Sequence, residues 1–233
     1  MHVDRSRLYL LGAAGLGAVV VVIVIILVGT SGGSSGTTSS ATSTTPAATV
    51  SLAGIPQKGI TLGRPSAPVT VMVFEDPQCP YCMEWNQQTL PTVVKKYVRT
   101  GRVKLQYRGI NIIGPNSEYG LRANYAAGEQ NKLWHMADEL YARQGEENSG
   151  WINDSTIASA AKAAGANVNS ISAAFLTAPV TNMWKSAEQA AKTYAVSGTP
   201  TFIVVRPPAL PTQLQLSALD PTSFSEALDP LLR

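Results

Sequence analysis

Cysteine is scarce in this sequence: 233 residues hold two, Cys79 and Cys82, both in the stretch DPQCPYC (76–82). A disulfide between them would close a tiny loop, so its loop-entropy contribution would be small. That argues against a structural staple. Histidine is also scarce, with only His2 and His135. Both are far from the pair in sequence, so a zinc site built on the cysteines lacks its further ligands. Charge is sparse as well, at 14% of the chain against about a quarter in typical domains. Setting aside Asp4, Arg5 and Arg7 leaves 16 basic and 14 acidic residues. That balance gives no reason to expect nucleic acid or an anionic surface as a partner.

One long run carries no charge at all. Leu8 to Val28, LYLLGAAGLGAVVVVIVIILV, is about long enough to cross a bilayer as a helix. The head before it, MHVDRSR, carries Arg5 and Arg7, and positive charge stays on the cytoplasmic side. The expected layout is a cytoplasmic head over 1–7, a transmembrane anchor over 8–29, and everything later outside the cytoplasm. A cleaved signal peptide is the rival reading. Its apolar core spans about 7–15 residues, shorter than this run, although small residues around Val28 leave cleavage open. Thr30 to Thr49 is almost free of apolar bulk and charge, so it cannot bury enough surface to fold. A flexible Ser/Thr/Gly-rich linker is expected over 30–54, followed by one domain over 55–233.

Val69 to Glu75, VTVMVFE, is β-branched and apolar, the pattern of a buried strand. Asp76-Pro77-Gln78 breaks it, and a helix is expected from Cys79–Pro80, because proline suits the first helical position. Trp85, Leu90, Val93, Val94 and Tyr97 continue that helix, Pro91 should kink it, and Gly101 should stop it. Arg102 to Tyr107 alternates as a second strand. The cysteines therefore fall at the strand-to-helix junction of a β–α–β unit. Helices are expected through most of about 112–190, with Asp154 and Asn169 as candidate caps. Thr201 to Arg206 reads as a strand, Gln213 to Leu216 as its hairpin partner, and Asp220 to Leu232 as a closing helix.

A cysteine at a helix N-terminus faces unpaired N–H groups and the positive end of the macrodipole. Both favour thiolate, so Cys79 should have a lowered pKa and act as the attacking or attacked sulfur. Cys82, one turn on, is in reach to resolve a mixed disulfide. Pro80 and Tyr81 between them should tune the pair. Redox exchange is favoured over metal binding, a fixed disulfide or two inert thiols.

VTVMVFEDPQCPYC, followed by a helical stretch and VSGTPTFIV, resembles the membrane-anchored DsbA-like thiol:disulfide oxidoreductases. The resemblance spans about Ile55 to Arg233. It implies an α/β thioredoxin-like fold with a helical insertion and no cofactor within the chain. It also implies that Cys79 is the nucleophile and Cys82 the resolving partner. Thr199 and Pro200 would form the substrate-facing loop, with a cis bond before Pro200. The implied partners are reduced exported polypeptides and a quinone-linked membrane reoxidase, DsbB-like or of the vitamin K epoxide reductase type. One departure stands out. Many relatives carry a buried acid six residues before the first cysteine, where this chain has Val73. Glu75 is two residues later on the same strand face, and Asp76 follows it. Either could transfer protons, or both could form a solvated loop pair.

The function expected is donation of the Cys79–Cys82 disulfide to exported proteins by a single-pass membrane protein with its C-terminal domain outside. The alternatives are a reductase or isomerase of the same fold, or a non-catalytic polypeptide- or metal-binding protein. Trp134, Trp151 and Trp184 are expected to serve core or rim packing, and His135 to be a surface or hydrogen-bonded histidine rather than a catalyst. Asn153-Asp154-Ser155 matches an N-glycosylation pattern and a helix cap equally well.

Overall fold

The computed structural model describes residues 51–233. The expected head, the anchor over 8–29 and most of the linker lie outside the described residues. Among the described residues, no helix is long and apolar enough to cross a membrane.

A run of β-branched and apolar residues closed by Glu75 forms β3, Val69–Glu75, the strand read from the sequence. It is central in a six-stranded sheet of order β1-β2-β4-β3-β5-β6. On one side it pairs in parallel with β4, Val103–Gly109, from Val69 opposite Val103 to Glu75 opposite Gly109. On the other it runs antiparallel to β5, Thr201–Val205, with Val73 opposite Phe202. Burial on both faces explains why β3 reads as a near-continuous apolar run.

Two short strands, β1 (Gln57–Lys58) and β2 (Thr61–Leu62), form a hairpin that extends the sheet beyond β4. With two residues each, they leave no periodic trace in the sequence. The expected hairpin partner of β5 is β6, at Thr212–Gln213 rather than 213–216.

The helix after β3 starts with α1, Pro80–Glu84, and has Cys79 as its N-cap residue. It runs on through Trp85–Thr89, α2 (Leu90–Val93) and Val94–Val98. Where a kink was expected at Pro91, the ladder widens instead. Leu90 N–H bonds to Trp85 O, five residues back, a π-type step of the kind that absorbs local disruption. Thr89 Oγ1 donates to Leu219 O across the core.

The helical insertion comprises α3 (Pro115–Glu129), α4 (Leu133–Tyr141), α5 (Asp154–Ala163), α6 (Val168–Ala174) and α7 (Ala178–Thr193). Two caps differ from expectation. Asn153, not Asp154, caps α5 by accepting from Thr156 N–H at 3.1 Å. Asp154 then occupies the first turn, where an acid suits the dipole. Asn167, not Asn169, caps α6 through Ser170 N–H at 2.9 Å. The Asn153 amide is thus engaged as a cap, and its Nδ2 also donates to Gly150 O at 3.1 Å. The closing helix α8, Pro221–Leu228, is capped by Asp220 through Thr222 and Ser223 N–H.

One hydrophobic core joins the sheet, the cysteine-bearing helix and the insertion. Trp85 lies one turn beyond Cys82, fully buried, with its ring 5.1 Å from Phe202 and 6.3 Å from Phe224. Truncating such a residue costs about 3–5 kcal/mol, so the helix that carries the cysteines is firmly seated. Trp134 is buried, with Nε1 donating to Ile60 O at 3.0 Å. Trp184 Nε1 donates to Glu188 Oε1 at 3.1 Å. His135 shares a 3.0 Å hydrogen bond with Gln57 Nε2. Both tryptophans pack as expected, and His135 is a hydrogen-bonded histidine away from the cysteines.

Candidate functional site

Cys79 lies where β3 hands over to α1. It has extended backbone angles, and its carbonyl accepts from Cys82 N–H and Met83 N–H, both at 3.1 Å. Both cysteines are thiols in this structure. The Cys79 thiol donates to Thr199 O at 3.2 Å across the sheet edge, and the Thr199–Pro200 bond is cis. The two sequence motifs, 120 residues apart, thus meet at one sulfur. Pro80 is exposed and Tyr81 is 61% exposed, so the residues between the cysteines form the rim of the site.

The electrostatics separate the two sulfurs. The Cys79 pKa is lowered from 9.0 to about 6. Its hydrogen bond with the Cys82 thiol contributes most, burial opposes it, and the Thr199 side chain and the N–H groups of Cys82 and Tyr81 add to the lowering. Donors from the helix terminus therefore act as expected, but the second cysteine is the larger influence. Cys82 moves the other way. Burial chiefly, then its bond to Cys79 and the nearby Glu75 charge, push its thiol well above 9.0.

The two acids separate just as sharply, and neither is solvated. Glu75 is 1% exposed and Asp76 is 0% exposed, which corrects the solvated-pair alternative. Glu75 has its pKa raised from 4.5 to about 8. Burial is the main cause, a hydrogen bond from Tyr141 opposes it, and the charge on Cys79 adds to it. Tyr141 O–H donates to Glu75 Oε2 at 3.3 Å, while Glu75 Oε1 has no hydrogen-bond partner among the described residues. A protonated carboxyl is the form that fits such a site. Glu75 is thus a buried acid two residues beyond Val73 on the same strand face.

Asp76 has a different post. Its Oδ1 accepts from Gln78 N–H (2.8 Å) and Ser117 Oγ (2.6 Å), and its Oδ2 from Ile112 N–H (2.8 Å) and Ile113 N–H (2.9 Å). Four donors fill both oxygens, so Asp76 ties the cysteine loop to the start of the insertion.

Several residues here were not singled out from the sequence. Tyr141 is 66 residues from Glu75, and Gln144 and Asn148 lie in the loop after α4. Gln144 Nε2 donates to Pro77 O at 2.9 Å and Cys79 O at 3.2 Å. Tyr141 reads in the sequence as an apolar position of a helix, and Gln144 and Asn148 carry only polarity near that helix, which is common on any surface. Among the described residues, no group of three or more His, Cys, Asp or Glu side chains is placed to hold a metal.

The arrangement of fold and site is that of a thioredoxin. A family model described as Thioredoxin_4, thioredoxin, matches residues 56–206, and the chain belongs to that family. Within it the similarity is to DsbA-type proteins. A probable disulfide bond formation protein D of Bacillus cereus is 34% identical over 104 residues, covering 44% of this chain and 48% of that protein. The chain thus spans about half the length of the curated relatives it matches. The oxidised BdbD of Bacillus subtilis superposes with a TM-score of 0.65 at 19% identity, over 79% of this chain and 98% of that one. A thioredoxin-like oxidoreductase from Silicibacter pomeroyi superposes with a TM-score of 0.59 at 25% identity, over 76% and 91% of the two chains.

Proposed function

We propose that the chain is an extracytoplasmic thiol:disulfide oxidoreductase, held at the membrane by residues 8–29, that donates its Cys79–Cys82 disulfide to exported proteins. The observation that carries this reading is the asymmetry of the pair. A thiol lowered to about 6 sits beside one raised well above 9.0, so Cys79 is the good leaving and attacked sulfur and Cys82 the proton-bound one.

In the forward step a substrate thiolate attacks Cys79 Sγ. The S–S bond to Cys82 breaks, its electron pair goes to Cys82, and a mixed disulfide forms on Cys79. Glu75, buried and protonated up to about pH 8, supplies the proton that the Cys82 thiolate needs. A second substrate thiolate then attacks the substrate sulfur and releases Cys79 as thiolate. Two substrate thiolates are oxidised to one disulfide, and the enzyme disulfide is reduced to the Cys79 thiolate and the Cys82 thiol, whose proton comes from Glu75. A quinone-linked membrane protein, DsbB-like or of the vitamin K epoxide reductase type, would take those electrons. Thr199 and Pro200 would align the extended substrate backbone beside Cys79, with the exposed Tyr81 ring offering it apolar contact.

The test is trapping with single-cysteine variants. Cys82→Ser, incubated with a disulfide-bearing peptide, should accumulate a mixed disulfide at Cys79, because no second thiol resolves it. Cys79→Ser should form none while still binding the peptide. Exchange that persists in Cys79→Ser contradicts the reading.

A further inference from the structure

The residue before the nucleophile is unusually constrained. Gln78 is 0% exposed, although glutamine is a residue that mostly stays in water. Its side chain is spent on the helical insertion. Nε2 donates to Ser117 Oγ at 2.9 Å and to Asn148 Oδ1 at 3.2 Å, and Oε1 accepts from Asn148 N–H at 2.7 Å. Its backbone N–H donates to Asp76 Oδ1 at 2.8 Å. On either side, Cys79 N–H bonds to Asp76 O at 3.0 Å, and Gln144 bridges Pro77 O and Cys79 O.

The partners of the Gln78 side chain and the Gln144 bridge come from α3 and the loop after α4, elements inserted between β4 and β5. The two bonds to Asp76 are local to the cysteine loop. Close packing adds to the grip. A Cβ at Gly120 of α3 would stand only 3.0 Å from the Pro77 ring and from Ile152, so the helix approaches the loop closely there. Cys79 Sγ in turn depends on position: it must meet Thr199 on one side and the α1 N–H groups on the other.

We propose that Gln78 is a positioning residue, through which the helical insertion holds Cys79 in register with the Thr199–Pro200 loop and the start of α1. The insertion is then part of the redox machinery and sets how readily the cysteine pair is reduced. The inference rests on Cys79 being the attacking thiol.

Gln78, Asn148 and Ser117 are all neutral, so replacing them removes no charge from the groups that face Cys79, chiefly Cys82 and Glu75. A change in Cys79 behaviour therefore reports its placement. The experiment uses the full chain and three readouts: the pH profile of Cys79 alkylation by iodoacetamide, the thiol–disulfide equilibrium with glutathione, and the denaturant midpoint. In Gln78→Ala the alkylation midpoint should move upward, and the equilibrium should shift toward the enzyme disulfide by about three- to tenfold, the effect of hydrogen bonds of this class. Asn148→Gly keeps the backbone donor and suits the positive φ of 56° at that position. It should move both readouts the same way by less, and it decides the matter if Gln78→Ala does not fold. Variants that lower only the denaturant midpoint, with alkylation profile and equilibrium unchanged, overturn the positioning role. A wild-type Cys79 that alkylates as an ordinary thiol instead overturns the underlying reading of the site, and this inference with it.

Discussion

Cys79 Sγ stands 3.2 Å from the carbonyl oxygen of Thr199, a contact between residues 120 positions apart in the chain. It joins the end of β3 to the turn before β5, two neighbouring strands of the sheet. The Cys79 sulfur therefore faces the backbone of the Thr199–Pro200 turn, the segment proposed to align an extended substrate. The chemistry of the site follows from what surrounds that sulfur, and each influence can be removed separately.

The first influence is the neighbouring thiol. The Cys82 hydrogen bond is the largest cause of the low Cys79 pKa. Cys82→Ala should move the alkylation midpoint of Cys79 upward from about 6 toward its ordinary 9.0. Cys82→Ser keeps a donor and should move it less. An unchanged midpoint in Cys82→Ala would assign the lowering to the helix terminus alone. Iodoacetamide rates across pH provide the measurement.

Glu75 gives a prediction with a definite sign. In the unfolded chain it loses its proton near 4.5, and in the folded one near 8. Between those values the native state binds more protons, so stability is full below 4.5 and falls as pH rises through about 8. Glu75→Gln should lack that decline. Denaturation of the reduced protein across pH, wild type against Glu75→Gln, checks it, because the raised value belongs to the state in which Cys79 is free. The same variant should slow exchange by at least about tenfold, since Cys82 loses its proton donor.

Asp76 should matter for stability rather than proton transfer. Asp76→Ala leaves Ile112 N–H, Ile113 N–H, Gln78 N–H and Ser117 Oγ without their common acceptor. Loss of about 3 kcal/mol or more is expected, from unsatisfied buried donors. A urea transition measures it, and a loss below about 1 kcal/mol would show that the loop re-pairs elsewhere.

Tyr81 lies at the opposite extreme. Its ring is 61% exposed beside the nucleophile, so Tyr81→Ala should leave stability within about 0.5 kcal/mol. KM for a reduced polypeptide should rise while kcat changes little. A fall in kcat at unchanged KM would move the ring from substrate contact to tuning of the pair.

The parts legible in the sequence were those with local signals. Val69–Glu75 announced itself by composition, and Pro80 and the cysteines marked the junction that follows. Thr199 and Pro200 became visible through family resemblance, not periodicity. What stayed hidden was made by long-range contact. Whether Glu75 and Asp76 were solvated depended on Tyr141, Ser117 and Ile112–Ile113, from 36 to 66 residues away. The misplaced caps are a smaller case. Asn153 and Asp154 are adjacent, both residue types cap helices well, and only the path of the chain chose between them.

The central claim is that the pair is a disulfide donor, and its reduction potential tests this most directly. The full chain would be equilibrated against glutathione and the fraction of Cys79–Cys82 disulfide measured. The low Cys79 pKa stabilises the reduced form, which predicts a potential of about −120 to −180 mV, among the oxidants. A value near about −270 mV, that of thioredoxin, would contradict donation and make the protein a reductase.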